Sequence, residues 1–104
     1  MRGRRPRYPL GRIKAAFADA ARLNRNMSAT EGAEGLGIDE QAVIDVIRGL
    51  TAQDFEKSMP SDLDAAILHD VYKPVIDGRE FYIRFTRDSQ RRLLLISFRE
   101  NTLL

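Results

Sequence analysis

Four side chains in the second half of the chain can move a proton or stabilise negative charge without a metal ion. They are Lys57, His69, Tyr82 and Arg99. Cleavage of RNA needs little more, because the ribose 2′-hydroxyl is already in place as the nucleophile. The protein must help to remove its proton, protonate the leaving 5′-oxygen and stabilise charge on the phosphoryl oxygens. The residue types suit this chemistry, but the sequence alone does not bring the four together.

Each of these residues also has an ordinary alternative role. Lys57 lies in a predicted turn and would be an exposed lysine, and His69 would face solvent or cap an element. Tyr82 alternates with apolar residues, as sheet tyrosines do, and Arg99 ends a predicted strand, where charged residues are common. On residue type alone, these ordinary roles are preferred.

Other chemistries are excluded by what the sequence lacks. There is no cysteine, so disulfides, thiolate metal ligands and a cysteine nucleophile are all absent, and the single histidine argues against a zinc site. No phosphate-binding glycine motif is present, since Gly35-Leu36-Gly37 lacks the remaining spacing of a dinucleotide fingerprint. We therefore expect no metal and no small-molecule cofactor. Absence of cysteine fits a cytoplasmic protein, and no apolar run approaches the roughly 20 residues of a membrane span.

Charge is segregated along the chain, although the formal net charge is only +2. Residues 1–25 carry eight Lys or Arg against one acid, whereas residues 26–70 carry ten acids against two Lys or Arg. This asymmetry indicates a basic face for nucleic acid and an acidic face for another partner, although solvated charged faces are an equal alternative. Residues 1–9 hold four arginines and two prolines and are predicted to form a mobile basic arm. Its arginines, Arg4, Arg5 and Arg7 among them, would bind phosphates non-specifically.

The 104 residues predict one domain, spanning 1–104, with helices first and strands after them. An apolar stripe predicts a helix over residues 10–23, and capping signals predict a short helix after Ser28 and a better one from Asp39 to about Arg48. Three extended stretches follow: about 68–76, interrupted by Pro74, then 80–87, and 92–99, which is apolar on both faces and predicted to be central. The fold class is therefore α+β, with the helices packed on one face of an antiparallel sheet.

Side-chain parity divides the predicted sheet into two faces. If Phe81, Ile83 and Phe85 face the helices, sharing that face with Leu94, Ile96 and Phe98, the alternate residues face away. Tyr82, Arg84 and Arg99 then stand on the uncovered face. Such a face is a suitable binding surface for RNA, with Arg84 as an RNA-binding residue.

The order of the motifs between Leu50 and Glu100 resembles the MqsR family of toxins. The resemblance is carried by Asp54-Phe55-Glu56-Lys57-Ser58-Met59, by Asp70-Val71-Tyr72-Lys73-Pro74 and by Ile96-Ser97-Phe98-Arg99-Glu100. It implies a RelE-like fold and a sequence-selective endoribonuclease that cleaves mRNA without a metal and arrests growth. It also implies neutralisation by a cognate antitoxin that binds DNA.

The resemblance also implies roles for particular residues. Lys57 and Tyr82 match the family's catalytic lysine and tyrosine, and Lys73, in the second motif, is expected to bind RNA. Arg99 stands where a well-known member has lysine, and since arginine does not readily release a proton, it should stabilise the phosphate. His69 stands where that member has glutamine, which leaves the identity of the general base open and makes His69 a candidate proton-transfer group.

Two other functions remain open at this point. The same basic face would serve a non-catalytic nucleic-acid-binding module or transcription co-regulator that acts with a partner protein. The chain could also be an inert interaction module or a decayed toxin, for which the departures at His69 and Arg99 are the only hint. Only a nuclease requires Lys57 and Tyr82.

Overall fold

The computed structural model describes residues 5–101 of the chain and has an α+β architecture, as predicted. Three α-helices come first: α1 (Leu10–Ala16), α2 (Met27–Gly35) and α3 (Glu40–Arg48). Five strands follow: β1 (Phe55–Pro60), β2 (Leu68–Tyr72), β3 (Val75–Ile76), β4 (Arg79–Arg87) and β5 (Leu93–Glu100). Single 3₁₀ turns occur at Ala20–Arg22 and Ala52–Asp54.

Local signals fix most helix boundaries. Asp39 caps α3 by accepting a hydrogen bond from the backbone N–H of Ala42 (2.8 Å), and Gly49 ends that helix, as predicted. The cap of α2 is Asn26, which accepts from the N–H of Ala29, so the predicted cap at Ser28 is wrong by two residues. The predicted helix over 10–23 ends at Ala16 and continues only as the 3₁₀ turn.

The sheet is antiparallel, with β1, β2, β4 and β5 side by side and the short β3 also paired to β4. The chain leaves β2 before Pro74, as its missing N–H requires, and β3 and β4 are joined through Asp77 and Gly78, both at positive φ. The prediction that the last strand is central is wrong, because β4 is the only strand paired with β5 among residues 5–101, and the other edge of β5 has only an isolated bridge between Leu95 and Arg25. Its apolar character on both faces has another cause: α2 and residues 24–26 cover its outer edge.

The close approach of α2 to β5 depends on a glycine. A Cβ at Gly32 would collide with the backbone carbonyl oxygen of Phe98. The helix therefore lies against the strand backbone itself, where no larger residue fits.

A β-bulge in β5 changes which residues form the core. Arg84 pairs with Ser97 but Phe85 pairs with Leu95, so Ile96 is an extra residue in β5. Beyond the bulge the side-chain alternation is inverted, and Leu95 is fully buried in the core with Phe98. The predicted core positions of Leu94 and Ile96 are therefore wrong, whereas that of Phe98 is confirmed.

The core lies between the helices and one face of the sheet. Its largest members come from the helices and from alternate positions of β2, β4 and β5, and include Ile13, Phe17, Ile44, Ile47, Tyr72, Ile83 and Phe85. Phe17 and Tyr72 both contact Phe85, with ring centroids 5.5 and 5.9 Å apart. Within residues 5–101 no helix is long and apolar enough to cross a membrane.

Part of the predicted arm is anchored. The buried carboxylate of Asp70 accepts hydrogen bonds from the backbone N–H groups of Arg7 (2.9 Å) and Tyr8 (2.8 Å), and the Tyr8 hydroxyl donates to the carbonyl of Leu68 (2.8 Å). Tyr8 is only 4% exposed. The burial of Tyr8 was not predicted from the sequence, and residues 1–4, with Arg4, lie outside the described part of the chain.

Candidate active site

The strand register places all four candidate catalytic residues on one face of the sheet. Across β1, β2, β4 and β5, one row contains Lys57, Val71, Arg84 and Ser97. The row on one side of it contains Met59 and His69, on β1 and β2. The row on the other side contains Tyr82 and Arg99, on β4 and β5. The residues that alternate with them form the core, so this face, which we call the open face, points away from the helices.

Tyr82 is held between two arginines on the open face. The guanidinium of Arg99 lies over its ring, 4.2 Å from the centroid, and that of Arg84 lies 5.3 Å from the centroid. Nε of Arg84 also donates a hydrogen bond to the Tyr82 hydroxyl oxygen (3.1 Å), as does Nη2. These contacts leave Tyr82 only 8% exposed. Since the hydroxyl oxygen accepts from Arg84, the phenolic proton is free to be donated elsewhere.

His69 is the other group on this face suited to proton transfer. Partial burial and, second, the positive charge of Arg84 lower its pKa below the usual 6.5, while Asp62 and Asp70 act in the opposite direction. The imidazole is therefore neutral at pH 7 and can accept a proton. Its Nδ1 is buried and has no hydrogen-bond partner within residues 5–101, and no group of three or more potential metal-ligating side chains occurs in that range.

Lys57 reaches the open face through an irregularity in β1. The turn predicted around it is absent, because the residues Phe55–Pro60 form a strand that the sequence reasoning missed. A bulge between Phe55 and Lys57 breaks the alternation that would have revealed this strand. Lys57 is half-buried and lies beside Val71, which is fully buried between Lys57 and Arg84 and forms an apolar floor.

Comparison with known proteins identifies the family of the chain. The profile of the family described as "Motility quorum-sensing regulator, toxin of MqsA" matches residues 5–100. The chain belongs to the MqsR toxin family. The mRNA interferase toxin MqsR of Escherichia coli (strain K12) is 33% identical to this MqsR-family chain over 100 residues, covering 96% of the chain and 99% of that relative.

The expected RNA-binding residues of this MqsR-family chain lie in different places. Arg84 lies on the open face in contact with Tyr82, and the ammonium group of Lys73 is 3.5 Å from the carboxylate of Glu56. Arg5 and Arg7 are exposed, and the backbone N–H of Arg7 donates to the carboxylate of Asp70 in β2. The contact of Arg84 with Tyr82 was not foreseen; their i, i+2 spacing on one strand was the available signal, since such residues share a face.

Asp70 is the residue that sequence reasoning missed most completely. It is fully buried and positions Arg7 and Tyr8, which lie 62 or 63 residues away in the chain. Nothing in the local sequence distinguishes it from an exposed strand aspartate. Its only signal was its place within a motif shared with the family.

Proposed function

We propose that this chain is an endoribonuclease toxin that cleaves mRNA on the open face, without a metal ion. The observation that carries the proposal is the register, which puts Lys57, His69, Tyr82 and Arg99 on the face that the helices leave uncovered, with Arg84 among them. Membership of a family of toxins, and the similarity to a named mRNA interferase, support the same reaction.

The reaction would proceed by attack of the ribose 2′-oxygen on the adjacent phosphorus. The bond between the 2′-oxygen and phosphorus forms, and the bond between phosphorus and the 5′-oxygen breaks. The 2′-hydroxyl proton passes to the enzyme, and the leaving 5′-oxygen receives a proton from it. The products are a 2′,3′-cyclic phosphate and a free 5′-hydroxyl, and neither water nor an electron carrier is consumed.

The contacts on the open face suggest a role for each residue. His69, neutral at pH 7, accepts the 2′-hydroxyl proton. Tyr82, whose hydroxyl oxygen accepts from Arg84, donates its proton to the 5′-oxygen. Lys57 and Arg99 stabilise the charge that develops on the phosphoryl oxygens, a function for which a permanently charged guanidinium is suited.

The test is incubation of the purified protein with a defined RNA in EDTA, beside Lys57→Ala and Tyr82→Phe. We expect discrete cuts in EDTA, slowed by about 10²–10³-fold in Lys57→Ala and about 10²–10⁴-fold in Tyr82→Phe. Tyr82→Phe keeps the ring beneath Arg99, so a loss of cleavage in this variant measures the contribution of the hydroxyl alone. Lys14→Ala, which removes the same charge from α1, should cleave normally.

Failure of the wild type to cut RNA in EDTA, followed by cutting when a divalent ion is supplied, would refute metal independence. RNA binding without cleavage, with free RNA and with translating ribosomes, would refute the nuclease and favour the non-catalytic binding module. Cleavage that persists in both variants would place the active site elsewhere.

We also propose that the toxin acts in the cytoplasm, where its substrate is, and is neutralised by a cognate DNA-binding antitoxin. The family is described as the toxin of MqsA, which supports a protein partner of this kind. Co-expression of a cognate antitoxin should relieve growth arrest, and that antitoxin should co-purify with the toxin. Growth arrest that is unaffected by that protein would contradict this pairing.

A further inference from the structure

A second basic site lies at the end of the sheet where β2 begins and β4 ends. It is a cavity of about 450 Å³ lined by the arginines Arg7, Arg87 and Arg91, by Tyr8 and by the segment Ala66–Leu68. Both Arg7 and Arg87 stack on the Tyr8 ring, with guanidinium carbons 5.6 and 5.3 Å from its centroid. We call this cavity the arginine pocket.

The charge of the arginine pocket is poorly compensated from within the described chain. Its one acidic lining residue, Asp88, already accepts hydrogen bonds from the backbone of Arg92 and Gln90, the side chain of Asn24 and Nε of Arg92. Those contacts, the Arg92 N–H first, hold its pKa below the usual range. Nε of Arg87 is buried and has no hydrogen-bond partner among residues 5–101. A buried guanidinium N–H without an acceptor is costly, and an anion in the cavity would satisfy it.

The arginine pocket lies at the same end of the sheet as His69. Leu68, which lines it, directly precedes His69, and the carbonyl of Leu68 accepts hydrogen bonds from both Tyr8 and Thr86. Arg87 follows Arg84 by three residues on β4, about 10 Å along the strand, and by alternation it lies on the opposite face of the sheet, as Leu68 does relative to His69. A nucleic-acid strand that leaves the open face beside His69 reaches the pocket around the end of the sheet, where Arg91 lies in the turn between β4 and β5.

We infer that the arginine pocket binds a backbone phosphate of the RNA substrate, at a nucleotide flanking the cut. Three guanidinium groups suit phosphate because each offers paired N–H donors to its oxygens. The inference rests on the proposed function for its choice of ligand. It adds a sequence-independent site that holds the strand at the His69 end of the sheet.

The test is the salt dependence of binding to a 2′-O-methyl oligoribonucleotide, which cannot be cleaved, measured by fluorescence anisotropy. The first variant is Arg91→Asn, because Arg91 is exposed at φ 63° and asparagine tolerates this left-handed conformation. The control is Arg48→Gln, which removes the same charge from the exposed end of α3. Unchanged thermal unfolding of both variants establishes that the fold is intact.

Loss of one phosphate contact should reduce the slope of log affinity against log salt by ~0.7. The affinity ratio of wild type to Arg91→Asn would then change by ~2.6-fold between ~50 and ~200 mM salt. Arg48→Gln should keep the wild-type slope. Equal slopes for Arg91→Asn and wild type would refute the inference that the pocket binds an RNA phosphate, and would leave the proposed nuclease activity unaffected.

Two further outcomes separate the inference from the proposed function. Arg91-dependent binding of the 2′-O-methyl RNA by a protein that cuts no RNA would refute the nuclease and support the pocket. Binding of inorganic phosphate that is lost in Arg91→Asn, with RNA affinity unchanged, would show that the pocket takes a free anion and would overturn its assignment to RNA.

Discussion

Replacement of His69 by glutamine should abolish the acid limb of the pH–rate profile. In the wild type, protonation of the imidazole removes the proposed base, so log kcat/KM should fall by one unit per pH unit below the pKa of His69. That pKa is lowered by burial and then by Arg84, so the limb should lie below pH 6.5. Glutamine does not titrate in this range, and His69→Gln should give a flat profile there.

The size of the effect should depend on pH. A general base typically contributes about 10²–10⁴-fold, so His69→Gln should be slower than wild type by about that factor at neutral pH. Two pH units below the His69 pKa, the wild type retains about one hundredth of the base form. The two profiles should therefore converge as the pH falls.

Neighbouring charges should move the limb in opposite directions. Arg84→Gln removes a positive charge that lowers the His69 pKa, so the acid limb should shift to higher pH. Asp62→Asn removes a carboxylate that raises this pKa, so the limb should shift to lower pH. Asp64→Asn, in the same exposed loop, is the matched control and should leave the limb in place.

Single-turnover cleavage of one RNA, across buffers of constant ionic strength, measures these profiles without interference from product release. An acid limb that persists unchanged in His69→Gln would exclude His69 as the titrating group. Shifts of the same sign in Arg84→Gln and Asp62→Asn would show that the charges around His69 do not control its titration.

The remaining predictions concern stability and are measured by urea unfolding. Gly32→Ala should lower the unfolding free energy by about 1–3 kcal/mol, because its Cβ collides with backbone at Phe98. Gly35→Ala, later in the same helix with open space around the new Cβ, should raise the unfolding free energy by up to about 1 kcal/mol. Equal changes in the two variants would contradict the close approach of Gly32 to the backbone of Phe98. Tyr72→Phe should raise the unfolding free energy by about 1 kcal/mol, because that hydroxyl is buried without a partner in the described chain and burial raises its pKa to about 12. A marked fall in the unfolding free energy of this variant would mean that the hydroxyl has a hydrogen-bond partner.

Much of the fold follows from local signals in the sequence. The cap at Asp39, the stop at Gly49 and the break at Pro74 each depend on the chemistry of a single residue, and all three are found where predicted. The β1 strand and the edge position of β5 were not predicted. Both depend on contacts distant in the chain, namely the pairing of β1 with β2 and the cover that α2 gives to β5.

The candidate site was predictable by residue type but not by arrangement. Lys57 and Tyr82 were predicted from the resemblance to the family, whereas the arginines around Tyr82 and the unsatisfied Nε of Arg87 appear only when the strands are placed side by side. Packing between elements determines these contacts, and a single sequence does not encode it in any periodic pattern.

The two bulges explain why one alternation rule fails on both outer strands. Without the extra residue in β1, the pairing that sets Phe55 opposite Tyr72 would place Glu56 opposite Val71 and turn Lys57 toward the core. Without Ile96 as an extra residue, Leu95 would face away from the helices while Arg99 stayed opposite Tyr82. The irregularities thus allow the sheet to bury Leu95 on the helix side and to keep Lys57 on the open face. The candidate catalytic residues therefore share a face through the strand register and not through simple alternation.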